Sequence, residues 1–342
     1  MENEQNRGVS RRRMVGAGAA LIGWAAIPQA EAANAPAKVT PAAGDIVVTL
    51  IGTGSVVPND VRYGNCTMIQ AGGLTLLIDA GRGCAVRLTQ AGMAMGKIDA
   101  FFLTHFHSDH VIGLPDLWMT GYLKPDFGLR KSSMLINGPV GTVHLANTMR
   151  DAFKDDVRIR MADEKLADDA TRVTGNEFST DGVIFNRNGV TVTGFEVDHG
   201  PLIKPAVGYR VDYNGLAVLV SGDTRFSENL IKHGAGCDVI VHEVAVASEK
   251  MEERDQLVMN HHTSPEEVGT VFTRTKPRLG VYSHIVDLLN DQRDATAVKE
   301  ILRRTRKTWN GKAMVGDDLT RIIVSKPAIT VQKFNHAKGG YA

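Results

Sequence analysis

A chain of 342 residues, 43% hydrophobic and 23% charged, can hold one large core or two small ones, and this composition excludes a disordered polymer and a multispanning membrane protein. Its 39 basic and 38 acidic residues leave a formal charge of +1. The excess positive field that draws proteins onto nucleic acid is absent, which counts against a large nucleic-acid substrate.

At the start of the chain, Ser10-Arg11-Arg12-Arg13-Met14-Val15 sets adjacent arginines before an apolar stretch from Met14 to Ile27, and Ala30-Glu31-Ala32 is a small-x-small cleavage pattern. Segment 1–32 resembles a twin-arginine export signal, which implies cleavage after Ala32 and a periplasmic or secreted product. The apolar run is short and rich in Gly and Ala for a bilayer core of ~30 Å, so no stable membrane anchor is expected. Residues 33–44, with prolines and small residues but no apolar periodicity, predict a flexible lead into a single domain over 45–342. Cys66, Cys84 and Cys237 are odd in number and far apart. At most one bridge can form among them, none has a C-x-x-C spacing, and small buried hydrophobes are expected.

From Asp45 onward, Ile46–Ile51 predicts a strand ended by Gly52-Thr53-Gly54, and 67–70 and 74–78 predict a hairpin about Gly72-Gly73. Residues 82–95 take helical spacing, and Ala100–Leu103 returns to a short buried strand that runs into Thr104-His105-Phe106-His107-Ser108-Asp109-His110. The same pattern recurs downstream: strands over 190–197, 217–220, 239–241 and 279–282 lead into Asp198-His199, Gly222-Asp223, His242-Glu243 and Ser283-His284. Ser264-Pro265-Glu266-Glu267 opens a helix over 265–275 with an N-cap, a first-turn proline and acids, and another helix is expected at about 293–307. Trp118 to Gly128 is expected as a loop near the site, and 157–189 as an inserted surface excursion. Mixed strands and helices with active groups at strand ends predict a layered α/β protein.

His105-x-His107 can point two imidazoles at one ion, and Asp109-His110 on the next turn sets a carboxylate and a third imidazole at another. Neutral imidazole is a common zinc ligand, and a carboxylate adds the negative charge that bridges or fixes a second ion. His144, His233 and His336 have no such context and are expected at the surface or in structural roles.

The segment resembles the H-x-H-x-D-H signature of the metallo-β-lactamase superfamily, and the match extends over residues 45–325. That resemblance implies a four-layer αββα sandwich, with His105, His107 and His199 around one divalent ion, Asp109, His110 and His284 around another, and Asp223 between them. Zinc is the expected metal, with manganese or iron as alternatives. Leu50–Ser55 and Ser221–Thr224 resemble the RNase Z and arylsulfatase branch. In that branch a glutamate after a histidine pairs with a histidine ahead of a Thr/Ser pair, which implies that Glu243 supports His262 as the catalytic group; His261 is an adjacent alternative. Asp109, besides holding its ion, is implied to orient the attacking water. A homodimer is also common in that branch.

The implied chemistry is hydrolysis by a water activated between two ions, at the phosphorus or sulfur of a small anionic phosphodiester or aryl sulfate ester. The export signal, the balanced charge and the lack of a Gly-Pro-rich, Lys-rich clamping arm stand against RNase Z-type processing of RNA. The basic run Arg303 to Lys307 is expected as a solvated helix face. Lactone or β-lactam hydrolysis and a non-catalytic, metal-stabilised binding protein are the remaining alternatives. Trp118 and Tyr122 are expected to wall the site for an aryl group, and Tyr209 and Tyr282 to be buried strand aromatics.

Overall fold

The computed structural model describes residues 40–289 and 295–341. The expected export signal over 1–32 and residues 33–39 of the expected lead lie outside the described residues. Residues 40–43 are exposed, and the fold begins at a turn where the Asp45 amide donates to the Ala42 carbonyl. Among the described residues no helix is long and apolar enough to cross a membrane.

Among the described residues, fifteen strands build two large sheets. The first half of the chain supplies β1 (Ile46–Gly52), β2 (Cys66–Ala71), β3 (Leu74–Ile78), β4 (Ala100–Phe102), β5 (Met134–Pro139) and β6 (Val173–Phe178). The second supplies β7 (Gly182–Arg187), β8 (Val190–Glu196), β9 (Val207–Tyr213), β10 (Leu216–Val220), β11 (Val239–Ala247), β12 (Leu279–Leu288) and β13 (Ala313–Val315). The closing pair, β14 (Thr320–Val324) and β15 (Ile329–Gln332), returns to the first sheet, whose order is β15-β14-β1-β2-β3-β4-β5-β6, against β13-β12-β11-β10-β9-β8-β7 in the second.

Each sheet is half antiparallel and half parallel. Strands β3 to β6 run parallel, as do β10 to β13. Parallel neighbours need crossover connections, and here every crossover carries a helix that covers an outer face. Over the first sheet lie Cys84–Gln90, Leu114–Gly121 and Thr142–Ala152; over the second lie Glu228–Gly234, Pro265–Thr275 and Ala295–Thr305.

The apolar residues sort accordingly. Ile46, Val48 and Leu50 of β1 and Val218 and Val220 of β10 face each other in the core between the sheets. Their alternates pack outward, with Ile51 against the first helical layer and Ala217 and Leu219 against the second. Period-2 alternation with both faces buried explains why these strands read as continuous apolar runs. The result is the expected helix-sheet-sheet-helix layering.

Two expectations need correction. Segment 157–189 is no surface excursion: β6 extends the first sheet beside β5, and β7 extends the second beside β8. Asn188-Gly189, both at positive φ, makes the two-residue turn that joins β7 to β8. Likewise Trp118 lies in the helix Leu114–Gly121, not in a loop. Trp118 and Tyr122 are fully buried, with the indole N–H on the Thr171 carbonyl and the Tyr122 hydroxyl 3.2 Å from Asp156, so they are core and not a substrate wall. Tyr209 and Tyr282 are buried strand aromatics as expected. The basic run at the end of Ala295–Thr305 is balanced by acids: Arg303 pairs with Glu300, and Arg304 and Lys307 with Glu266.

Candidate metal centre

The C-terminal ends of the parallel strands converge on one rim, the usual place for a site in such sheets. After β4 the chain bends at Thr104, and His107, in an extended conformation, stands at the N-cap position of the short helix Ser108–Val111, whose first turn carries Asp109 and His110. The Ala80 amide donates to the His110 carbonyl at 2.7 Å, which ties that turn to the end of β3.

Gly222 delivers Asp223. Its φ is +62°, and a Cβ there would lie 2.5 Å from the Val207 carbonyl and 3.0 Å from Thr104 Cβ, so only glycine fits this turn. His284 sits at φ +46° inside β12, where Ser283 and His284 together oppose the single residue Glu243 of β11. That is a β-bulge, and it turns both His284 and Glu243 out of the ladder.

These pieces meet around one carboxylate oxygen. Asp223 Oδ2 lies 3.2 Å from His284 Nε2, 3.3 Å from His110 Nε2, 3.8 Å from His199 Nε2 and 3.9 Å from His105 Nε2. Asp109 Oδ2 lies 3.3 Å from His284 Nε2 and 3.7 Å from His110 Nε2. Ligand atoms of His105, His107, His199 and Asp223 all fall within 4.8 Å of one another, and so do those of Asp109, His110 and His284. The structure thus brings together all seven residues singled out from the sequence. His107 is the exposed member and marks the opening.

Fit to cations is carried by the unmet atoms. His105 Nε2, His110 Nε2, His199 Nε2 and Asp223 Oδ1 are buried and have no hydrogen-bond partner within the protein. A buried polar atom left unpaired costs ~1–3 kcal/mol, and four on one focus are what a metal-binding cavity requires.

The charges agree. Burial opposes ionisation of Asp223, but His284 and His110 hold it well below the usual carboxylate range. Burial likewise works against a charged His110, and Asp223 and Asp79 outweigh it and raise that imidazole well above its ordinary value. His199, dominated by burial, falls to about 4.

The other ring nitrogens are held from behind. His199 Nδ1 donates to the His261 carbonyl at 2.7 Å, and His110 Nδ1 lies 2.8 Å from Asp79 Oδ2. Such partners fix the tautomer and aim of a metal-binding imidazole. Asp79 also accepts from the Thr104 amide and hydroxyl and from Asn65. Asp79 was not singled out from the sequence, although it follows the apolar strand β3 as other site residues follow theirs.

Glu243 is buried and accepts from the Thr263 amide at 2.8 Å, while its other oxygen lies 3.2 Å from His262 Nδ1. The helix start fixes His262. Ser264 caps Pro265–Thr275 in a capping box with Glu267, and the Thr263 hydroxyl donates to the Thr224 carbonyl at 2.6 Å. His262 is therefore the ring on Glu243; His261 meets the site through its backbone carbonyl. His242 faces away, with Nδ1 on the Glu243 carbonyl. All three cysteines are free and buried.

Two facing mixed sheets, helices on both outer faces and a His/Asp cluster on the rim define a metallo-β-lactamase-fold hydrolase. Comparison with known proteins agrees: the metallo-β-lactamase fold protein YhfI from Bacillus subtilis superposes with a TM-score of 0.64 at 16% identity, over 82% of this chain and 99% of that one. Zn(2+)-bound PqqB from Methylobacterium extorquens gives 0.57 at 15% identity, over 80% and 99%. Likeness at such identities speaks for the fold alone. A family model described as Anti-Pycsar protein Apyc1 matches residues 46–304, and the chain belongs to that family. It is also 33% identical over 290 residues to Ribonuclease Z of Mycolicibacterium paratuberculosis, covering 83% of this chain and 100% of the relative. That relative's name counts against the expectation that nucleic acid is no partner.

Proposed function

We propose that the chain is a dinuclear, zinc-dependent phosphodiesterase of small anionic diesters, exported by its N-terminal signal. The observation that carries this reading is the Glu243–His262 pair set beside the Asp223 cluster: a nitrogen of His262 lies within 4.8 Å of ligand atoms of Asp223 and His284. A lone metal cluster serves many reactions, whereas a carboxylate-backed imidazole beside it suits expulsion of an alkoxide.

His105, His107 and His199 would hold one ion, and Asp109, His110 and His284 the other, with Asp223 between them. Bound there, the ions supply Lewis acidity that makes hydroxide available at neutral pH and draws charge from the ester oxygens. Asp109 and Asp223, both held ionised by neighbouring histidines, offset that cationic charge and orient the attacking water. His262, with Nδ1 on Glu243, leaves Nε2 open to the site. Burial pushes its imidazole down to about 4 and lifts the Glu243 carboxyl well above its usual range. Both shifts favour a neutral pair that shares one proton between Oε2 and Nδ1. Nε2–H then passes its proton to the departing oxygen, and Glu243 replenishes the ring.

Small substrates are favoured by the charge of segment 142–172. Its four arginines are met by acids, Arg150 and Arg172 by Asp168, Arg158 by Asp155 and Arg160 by Asp156 and Glu164, so they offer no run of free guanidinium groups to an RNA backbone. Full-length similarity to proteins named Ribonuclease Z supports RNA as the second reading.

One panel decides: bis(p-nitrophenyl) phosphate, p-nitrophenyl sulfate, a chromogenic lactone and a precursor-tRNA transcript, each with the zinc-loaded protein. The diester is expected to turn over fastest. Turnover of the transcript alone would move the assignment to RNA processing, turnover of the sulfate alone would move it to sulfur, and silence on all four would leave a binding protein.

A further inference from the structure

We infer that Asp318, with Arg62 and Arg87, is a positioning group for His284, and acts through the backbone of Thr53 and Gly316; this rests on the metal reading above. Asp318 follows β13, is 7% exposed, and belongs to none of the ligand groups. Its Oδ1 accepts from the Thr53 amide at 2.9 Å and the Thr53 hydroxyl at 2.8 Å. Its Oδ2 accepts from the Tyr63 amide at 2.8 Å and from Arg87 Nε at 3.0 Å. Arg62 closes the cluster: its Nη1 donates to the Thr53 hydroxyl at 2.6 Å and also to the Gly316 carbonyl.

The two residues so gripped hold the bulge from both sides. The Thr53 carbonyl accepts from the Ile285 amide at 2.9 Å, immediately after His284. The Gly316 amide donates to the Tyr282 carbonyl at 2.9 Å, just before Ser283. Between these clamps His284 adopts φ +46°, a left-handed conformation uncommon for a residue that carries a Cβ. Displacement of Thr53 or Gly316 frees the bulge to relax into a regular strand, which turns the imidazole away from Asp109 and Asp223.

Stability alone does not account for the cluster. Burial raises the Asp318 carboxyl despite the four donors it accepts from, and a buried ion pair contributes little next to apolar packing of the same volume. What it supplies is register, since a charged group paired from several directions tolerates one arrangement of the loop.

The test compares Asp318→Asn with Glu177→Gln in the zinc-loaded full chain. Glu177 caps the helix Thr142–Ala152 by accepting from the Gly141 and Val143 amides at 2.8 Å, on the edge strand β6 of the first sheet whereas His284 is on β12 of the second, and serves as a control for lost stability. Asp318→Asn is expected to release one ion at a chelator concentration about tenfold below wild type, to lower kcat about tenfold on bis(p-nitrophenyl) phosphate, and to leave KM within about twofold. Glu177→Gln is expected to lower the melting temperature with metal retention unchanged. Should Asp318→Asn fail to fold, Thr53→Val removes the shared hydroxyl at nearly constant volume, and the same loss of metal is expected. An Asp318→Asn or Thr53→Val protein that holds both ions as tightly as wild type overturns the inference. A wild-type chain that binds no metal overturns the underlying reading instead, and this inference with it.

Discussion

Asp223→Ala is expected to lose both bound metal and turnover. The carboxylate is the one anion that faces four imidazole nitrogens at 3.2 to 3.9 Å, so its removal leaves each proposed ion with a ligand missing and no charge between them. Lewis-acid stabilisation is worth several kcal/mol, and about 1.36 kcal/mol corresponds to a factor of ten, so kcat/KM should fall on the order of a thousandfold. Metal analysis of the dialysed variant beside its turnover of bis(p-nitrophenyl) phosphate checks this. Full metal content with retained activity sinks the assignment of Asp223.

His262→Ala is expected to behave differently. Metal stays, because the seven ligands are intact, while loss of a positioned proton donor costs about 10²–10⁴-fold in kcat for an ester with a poor leaving group. For p-nitrophenolate, which leaves without a proton, the loss should shrink to about tenfold or less. The discriminating readout is the slope of log kcat against leaving-group pKa: steeper in the variant if His262 protonates the leaving oxygen. Equal losses for good and poor leaving groups would assign His262 to positioning.

Much of the site was legible because strands ending in polar residues are conspicuous when the strands are continuous apolar runs. His105, Asp223 and His284 each follow such a run, and burial on both faces of the sheets is the physical reason. Helix Pro265–Thr275 was legible to the residue through its N-cap Ser264, first-turn proline and acids, which the structure completes as a capping box. Asp79 was missed because one carboxylate before Ala-Gly reads as an ordinary turn, and its partner His110 is 31 residues away. The Arg62–Asp318 cluster joins opposite ends of the chain, beyond any local pattern.

The misreadings have equally definite causes. Pro115 near the start of Leu114–Gly121 looks like a loop signal, yet the buried Leu114, Leu117, Trp118 and Gly121 keep the 3-4 spacing of a helical face. Strands β6 and β7 lie at sheet edges, where exposed positions carry Asn, Glu and Arg and mask the alternation. The Asn188-Gly189 turn was the available signal that these residues pair.

The measurement that bears most directly on the central claim is metal stoichiometry, taken by elemental analysis of the purified protein and again after chelation and zinc addition. Two zinc ions per chain are expected, with diester turnover lost on chelation and regained as the second ion returns. A protein that remains fully active on diesters when stripped of divalent metal would contradict the account.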